Sequence, residues 1–334
     1  MLHYPYGEPT FHGRLKSFPE DFVVNEELGF EADGQGGHRL LYVEKSNLST
    51  PALVDRIAAD CDLKVRDIGY SGLKDTRAKT RQWISIPDPG SDVQSPESGA
   101  YRIIEQALHQ RKLKRGSHKT NYFEICLRQV DEFPATSEAQ LMSLSESGFV
   151  NYFGEQRFGR EQDNVEQALI KLANRRLPRW RRGLYISALR SYLFNQILSR
   201  RIEAGIWNQP LPGDVFMLQG SHSIFTEAVD DSIRQRFTSF DISSTASLYG
   251  NGPCRLSGIA REIEESVFAA HPEITDCLDQ QGAKRQMRAT RVRPQDFSFT
   301  YDAQNQTLHL ALRLPAGSYL TSLLDHCMRR NESA

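Results

Sequence analysis

No stretch of the 334-residue chain approaches the ~20 apolar residues that a membrane span needs, and the amino terminus, MLHYPYGEPTFHGR, has no basic segment followed by an apolar run. A cytoplasmic protein with no membrane partner is expected. The five cysteines (Cys61, Cys126, Cys254, Cys277, Cys327) form no C-x-x-C pair, which removes the spacing typical of zinc or dithiol redox sites and reads as reduced, buried thiols. The nine histidines contain neither H-E-x-x-H nor H-x-H, so no metal is expected. The glycine run GQGG at 34–37 lacks G-x-G-x-x-G and any following G-K-[ST]; it reads as a hairpin loop rather than a phosphate cradle. No G-x-S-x-G elbow and no supported Cys and His pair is present, which leaves hydrolase chemistry without a site. Nothing marks a methyl-donor pocket, an internal repeat or a low-complexity tract.

What is present is ordinary in bulk and uneven in detail. With 39% hydrophobic and 25% charged residues, the chain can bury one or two soluble cores. A net charge of -1 argues against a polyanion partner only if charge is spread evenly, and it is not. No acid occurs between Gln167 and Ile202, while Lys171, Arg175, Arg176, Arg179, Arg181, Arg182, Arg190, Arg200 and Arg201 all fall there. Arg111–Lys119 (RKLKRGSHK) and Lys284–Arg293 (KRQMRATRVR) are also basic and acid-free. Any one such stretch is more often a solvated face; three together point to a groove for a polyanion.

Along the chain, Phe22–Val24 and His38–Glu44 (HRLLYVE) have strand composition. Thr50 then suits a helix N-cap and Pro51 the first helical position, with Leu53, Val54, Ile57, Ala58 and Cys61 at the spacing of one buried stripe over a sheet. Gln82–Ile86 and Asn121–Leu127 read as further strands, and the polar 87–99 segment as a surface loop. From about Leu177 to Val292 the character changes: arginine-rich, helical through Gly183–Ala204, then short strands and loops. Thr307–Arg313 returns to strict alternation, with Leu308, Leu310 and Leu312 on one face, as a strand rejoining the first sheet would. The expected organisation is a mixed α/β (α+β) domain from 1–176 and 293–334, with 177–292 inserted and a cleft at their junction.

The segment GYSGLKDTRAKTRQWISI (69–86) sets Lys74 and Asp75 side by side in a polar turn between apolar runs. By local pattern alone, an aspartate there more often closes the turn onto its own backbone. Yet Gly72, Lys74, Asp75, Ala78, Thr80 and Gln82 spell G-x-K-D-x-x-A-x-T-x-Q in full, and PEDFVVNEELGFEADGQGGH (19–38), NYFGEQRFG (151–159) and LPAGSYLTSLL (314–324) follow in order around it. These blocks resemble the TruD family of tRNA pseudouridine synthases across essentially the whole chain.

The resemblance implies a pseudouridine synthase fold, built on a largely antiparallel mixed sheet flanked by helices, with an inserted TRUD domain. It implies isomerisation of uridine 13, in the D-arm region of tRNA, without cofactor, and Asp75 as the nucleophile. A carboxylate can attack ribose C1′ or the uracil ring, or stabilise positive charge on the sugar, and the motif leaves these routes open. Lys74 need not be the cation beside Asp75, since neighbouring side chains in an extended segment point apart; Lys16 is an equal candidate. A flipped-out uridine favours aromatic walls. The resemblance offers Phe22, Lys74, Asn151, Phe153 and Tyr319 for the substrate site. Phe22 and Phe153 would be core residues in most proteins with such patterns, and Asn151 could equally be a helix or turn cap. Tyr319 departs from the family's usual phenylalanine, so that its hydroxyl either joins proton transfer or reaches solvent. A monomer is expected. The rival readings are a non-catalytic RNA-binding or tRNA chaperone protein, and a base-modifying enzyme such as a methyltransferase, which would add mass and need a cofactor.

Overall fold

The computed structural model describes residues 2–154, 157–158, 164–173, 176–221 and 223–330. Glu155, Gln156 and Gly159 of the N-Y-F block and Arg175 of the basic run lie outside the described residues. The chain divides into two compact units: Thr10–Glu138 with Pro294–Gly317 and Met328–Ala334, and Met1–Pro9 with Ala139–Arg293 and Ser318–Cys327.

The first unit is built on one sheet whose strands run in the order Gln295–Asp302, Thr307–Pro315, His118–Leu127, Phe22–Leu28, Lys79–Pro87, His38–Ser46, Arg102–His109, with Gly69–Tyr70 also paired to Lys79–Pro87. Phe22–Leu28 runs parallel to Lys79–Pro87 and every other pairing in this sheet is antiparallel, so the largely antiparallel mixed sheet expected from sequence is present. Thr307–Pro315 does rejoin it, burying Leu308, Leu310 and Leu312. The helix Thr50–Asp60 packs Leu53, Val54, Ile57 and Ala58 against Leu41, Val43, Ile84 and Ile86 of the sheet, an interface of the kind that dominates folding energetics.

Two local expectations are corrected. The N-cap of that helix is Ser49, whose hydroxyl accepts from the Ala52 amide, because the Thr50 hydroxyl is engaged elsewhere, between the Lys74 amide and Gln82. The GQGG run is not a hairpin loop, since the strand Lys79–Pro87 lies between the strands it connects. Gly36 there has φ +127°, and a Cβ would meet the His109 carbonyl oxygen at 2.5 Å, so glycine is needed to let the loop lie against the end of Arg102–His109.

In the second unit the helix Arg179–Glu203 is central, beginning four residues before the expected Gly183. Its Leu189, Leu193, Phe194, Ile197 and Leu198 share a core with Ala168 and Leu172 of the helix Asn164–Leu172 and with Val267, Ile274 and Leu278 of the helices Gly258–Ala269 and Pro272–Gln280. That common core joins residues on both sides of the change in composition at 177, which falls inside the compact unit. A sheet in the order Ile224–Phe225, Phe216–Leu218, Ile242–Leu248, Gln286–Ala289 completes it, with Phe149–Val150 paired to Arg291–Val292. A fully buried ion pair, Arg201 to Asp214 at 2.6 Å, ties the long helix to this sheet, Asp214 also accepting from the Ser244 hydroxyl. Among the described residues, no helix is long and apolar enough to cross a membrane.

Candidate active site

Asp75 sits on the turn that leads from Gly69–Tyr70 into Lys79–Pro87. Its Oδ1 accepts from the Lys16 ammonium at 2.9 Å, with the Asp75 side chain 40% exposed and Lys16 17%. Lys16 is thus the cation beside the carboxylate. It reaches that place from a backbone at φ +61°, sparsely populated for a lysine, and its Nζ also lies 4.0 Å from the centroid of the Phe22 ring. Phe22 itself is buried, edge-on to Phe123.

The main chain of Asp75 is held by a second lysine. Lys45 lies on the same side of its strand as Leu41 and Val43, so it enters the core beneath the sheet, where it is 2% exposed. Its ammonium donates to the carbonyls of Asp75 at 3.0 Å and Leu48 at 2.5 Å. Burial lowers its pKa to about 8, with the Asp75 charge pulling upward and Lys74 pushing further down.

Lys74 points into the unit. Its ammonium meets Glu26 Oε2 at 2.7 Å and Asn121 Oδ1 at 2.6 Å, and Glu26 and Asn121 are directly opposed across adjacent strands. Glu26 also accepts from the Trp83 amide at 3.1 Å. Burial raises the Glu26 pKa and the Lys74 charge opposes the rise. His118, close to Asn121, is lowered to about 4 by burial and by Lys74, and stays neutral. The motif residues around Asp75 serve this arrangement. A Cβ on Gly72 would press on His118 at 3.1 Å, beside the Lys74–Glu26 pair. The Lys74 amide donates to Thr50 Oγ1 at 2.9 Å, and Thr50 donates to Gln82 Oε1 at 2.9 Å, which ties the turn to the start of the helix.

Asn151, Phe153 and Tyr319 lie in the other unit and are brought together there. Arg288 places its guanidinium 4.3 Å from the Phe153 centroid and donates to Asn151 Oδ1 at 2.5 Å, while Asn151 Nδ2 donates to the Ala289 carbonyl at 2.8 Å. Tyr319 is tilted against Phe153 at 6.2 Å, and its hydroxyl accepts from Arg157 at 2.8 Å. Asn195 grips the Phe153 main chain at both ends: its Oδ1 accepts from the Phe153 amide at 2.9 Å and its Nδ2 donates to the Phe153 carbonyl at 2.8 Å. Burial against Phe153 and Phe194 lowers the Arg288 pKa to about 10, so it keeps its charge at neutral pH. Phe153, Tyr152, Tyr192, Tyr4 and Phe158 line a cavity of about 380 Å³. Among the described residues, no three His, Cys, Asp or Glu side chains are grouped to hold a metal ion.

A model of the tRNA pseudouridine synthase D (TruD) family matches residues 1–171 and 164–326. The chain belongs to the TruD family. It is 38% identical to the tRNA pseudouridine synthase D of Methylococcus capsulatus over 96% of this chain and 92% of that one, and 38% identical to that of Aeromonas salmonicida over 100% and 95%. A solved structure from Methanosarcina mazei, described as a candidate tRNA pseudouridine synthase D, shares the fold at a TM-score of 0.71 and 22% identity, covering 97% of this chain and 96% of that one.

Within this TruD chain, Arg288 is legible in the sequence only as part of a basic run, and Lys45 and Glu26 escaped the sequence reading although they carried a signal as charged residues at core-facing positions of alternating strands. The basic runs are less uniform than the sequence suggested. Arg190 donates to the carbonyls of Leu248 and Lys284, Arg201 is buried against Asp214, and Arg291 is buried with its guanidinium 3.4 Å from the Phe237 centroid. Lys171, Arg176, Arg179 and Arg181, Arg111, Lys114, Arg115 and Lys119, and Lys284 and Arg293 remain exposed.

Proposed function

We propose that the protein isomerises uridine 13 in the D-arm region of tRNA to pseudouridine, without a cofactor, with Asp75 as the nucleophile. The carrying observation is Asp75 itself: a partly open carboxylate, paired to Lys16 at 2.9 Å and fixed through its main chain by Lys45, at the aspartate position of the family motif. An anchored carboxylate with solvent access can attack C1′ or the uracil ring, or stabilise positive charge on the sugar as the N-glycosidic bond opens. The freed base turns and rejoins C1′ through C5; the C5 proton leaves and N1 ends protonated, so substrate and product have equal mass.

In this reading 1–176 with 293–334 form the catalytic part and 177–292 the family-specific insert. Phe22, Asn151, Phe153 and Tyr319 serve the target nucleoside, Phe22 and Phe153 through rings fixed by Lys16 and Arg288. Lys74, engaged by Glu26 and Asn121, supports the turn from within rather than meeting the substrate. The exposed lysines and arginines of 111–119, 171–182 and 284–293 meet phosphates, so tRNA affinity should fall steeply with salt.

The test is incubation of the purified chain with an unmodified tRNA transcript, followed by chemical mapping of pseudouridine, with Asp75→Asn alongside. A signal at position 13 that disappears in Asp75→Asn is expected. A bound but unmodified transcript would replace the enzyme reading with that of an RNA-binding protein.

A further inference from the structure

Trp180 stands in the first turn of the helix Arg179–Glu203 with 68% of its surface exposed, and Leu184, one turn on and on the same side of the helix, is 43% exposed. Neither belongs to the apolar core of its unit. An indole held this far out of a core is characteristic of a surface that something else covers. Its neighbours indicate the charge of the cover. The Arg181 guanidinium lies 5.1 Å from the Trp180 ring centroid, Arg179 is exposed beside it, and Lys171 lies 5.8 Å from the ring of Tyr185 in the next turn. No acid occurs from residue 167 to 202 to balance them. The first turn of this helix carries arginines and no acid, against the preference of the helix dipole for negative charge there, so the composition is not explained by helix stability.

We propose that Trp180 is a stacking platform for an unpaired nucleobase of the tRNA, with Arg179 and Arg181 meeting the phosphates that flank it. The inference rests on the tRNA reading above and adds a second point of contact to it. A planar apolar ring within a cationic rim matches what a single-stranded nucleotide presents, a free π-face between two phosphates, whereas a paired base has no face to offer. A second copy of the chain fits poorly, because a two-fold contact here would set arginines against arginines.

Tryptophan emission reports the contact directly. Trp207 is 7% exposed and Trp83 is stacked on Tyr42 at 4.8 Å, so Trp180 is the indole most open to a ligand. Titrating wild type with unmodified tRNA transcript should quench emission, and Trp180→Phe should lose most of that quenching while keeping most of the affinity through its own ring. Trp180→Ala should raise Kd and KM by about 5- to 150-fold, with the salt slope of binding retained. Arg181→Gln should instead lower the salt slope by about one phosphate contact. Wild type that binds and isomerises the transcript while Trp180→Ala keeps its Kd within twofold overturns the stacking site alone. Wild type that neither binds nor isomerises it overturns the tRNA reading and this inference together. A wild-type dimer that Trp180→Ala converts to a monomer in sedimentation would assign the surface to a second copy and overturn the RNA contact.

Discussion

The Lys45 ammonium donates to the main-chain carbonyl of Asp75 at 3.0 Å, so a side chain thirty residues earlier holds the backbone of the proposed nucleophile. Lys45→Met leaves that carbonyl and the Leu48 carbonyl without this donor, and should lower kcat by about 10- to 100-fold, since displacing a reacting group by about 1 Å has costs of that order. Binding of tRNA should change less. Parallel measurement of Kd and single-turnover rate separates the two effects, and equal losses in both would count against a positioning role.

The same lysine makes a pH prediction. In the fold it gives up its proton near pH 8, and in the unfolded chain near its ordinary value of 10.5. Between those values the unfolded chain binds more protons, so the contribution of Lys45 to stability rises with pH; below about 8 it is flat. The difference in unfolding free energy between wild type and Lys45→Met should therefore climb from about pH 8 to 10.5. A level difference across that window would refute the lowered pKa.

Lys16 bridges the Asp75 carboxylate and the Phe22 ring. Charge-assisted hydrogen bonds contribute about 1.5–3 kcal/mol when shielded, and the exposure of Asp75 discounts this, so Lys16→Met should cost about tenfold in kcat. Lys16→Arg, which keeps the charge, should recover part of the loss. Turnover of Lys16→Met within twofold of wild type would remove Lys16 from the mechanism.

Much of this was legible in the sequence because it was local. The G-x-K-D-x-x-A-x-T-x-Q block lies in one turn and one strand, and the alternation of Leu308, Leu310 and Leu312 reports its own burial. What was not legible depends on strand order. GQGG looked like a hairpin because its flanking strands are consecutive, and only the sheet shows Lys79–Pro87 between them. Thr50 looked like an N-cap because its partners, the Lys74 amide and Gln82, are 24 and 32 residues away. The contacts of Lys74 with Glu26 and Asn121 were hidden for the same reason, since the three meet only after strand pairing.

Lys74→Met should destabilise the fold by about 3–5 kcal/mol, because Glu26 would be left buried without its cation. Since Glu26 titrates high, the folded form takes up its proton first, and the penalty should shrink as pH falls. Denaturant unfolding at two pH values checks this, and Glu26→Gln combined with Lys74→Met should be more stable than Lys74→Met alone. Additive losses would show that the two side chains are not coupled.

Arg288→Lys keeps a charge but loses the planar group that covers Phe153 and reaches Asn151. A cation–π contact of about 0.5–2 kcal/mol sets the scale, and kcat/KM should fall roughly 5- to 10-fold. An unchanged kcat/KM would mean that the placement of Phe153 and Asn151 does not limit the reaction.

Asn195 gives Phe153 the donor and acceptor that a neighbouring β-strand would otherwise supply. A single amide on a helix therefore serves as a strand of one residue. Beyond Phe149–Val150 the Asn151 amide still donates to the Thr290 carbonyl, and at Phe153 the helix takes over, so the height of the Phe153 ring is set by the rung of the helix that carries Asn195. Sliding that helix by one residue would carry the ring about 1.5 Å along its axis, so the aromatic wall is calibrated by a helix rather than by the loop on which it sits.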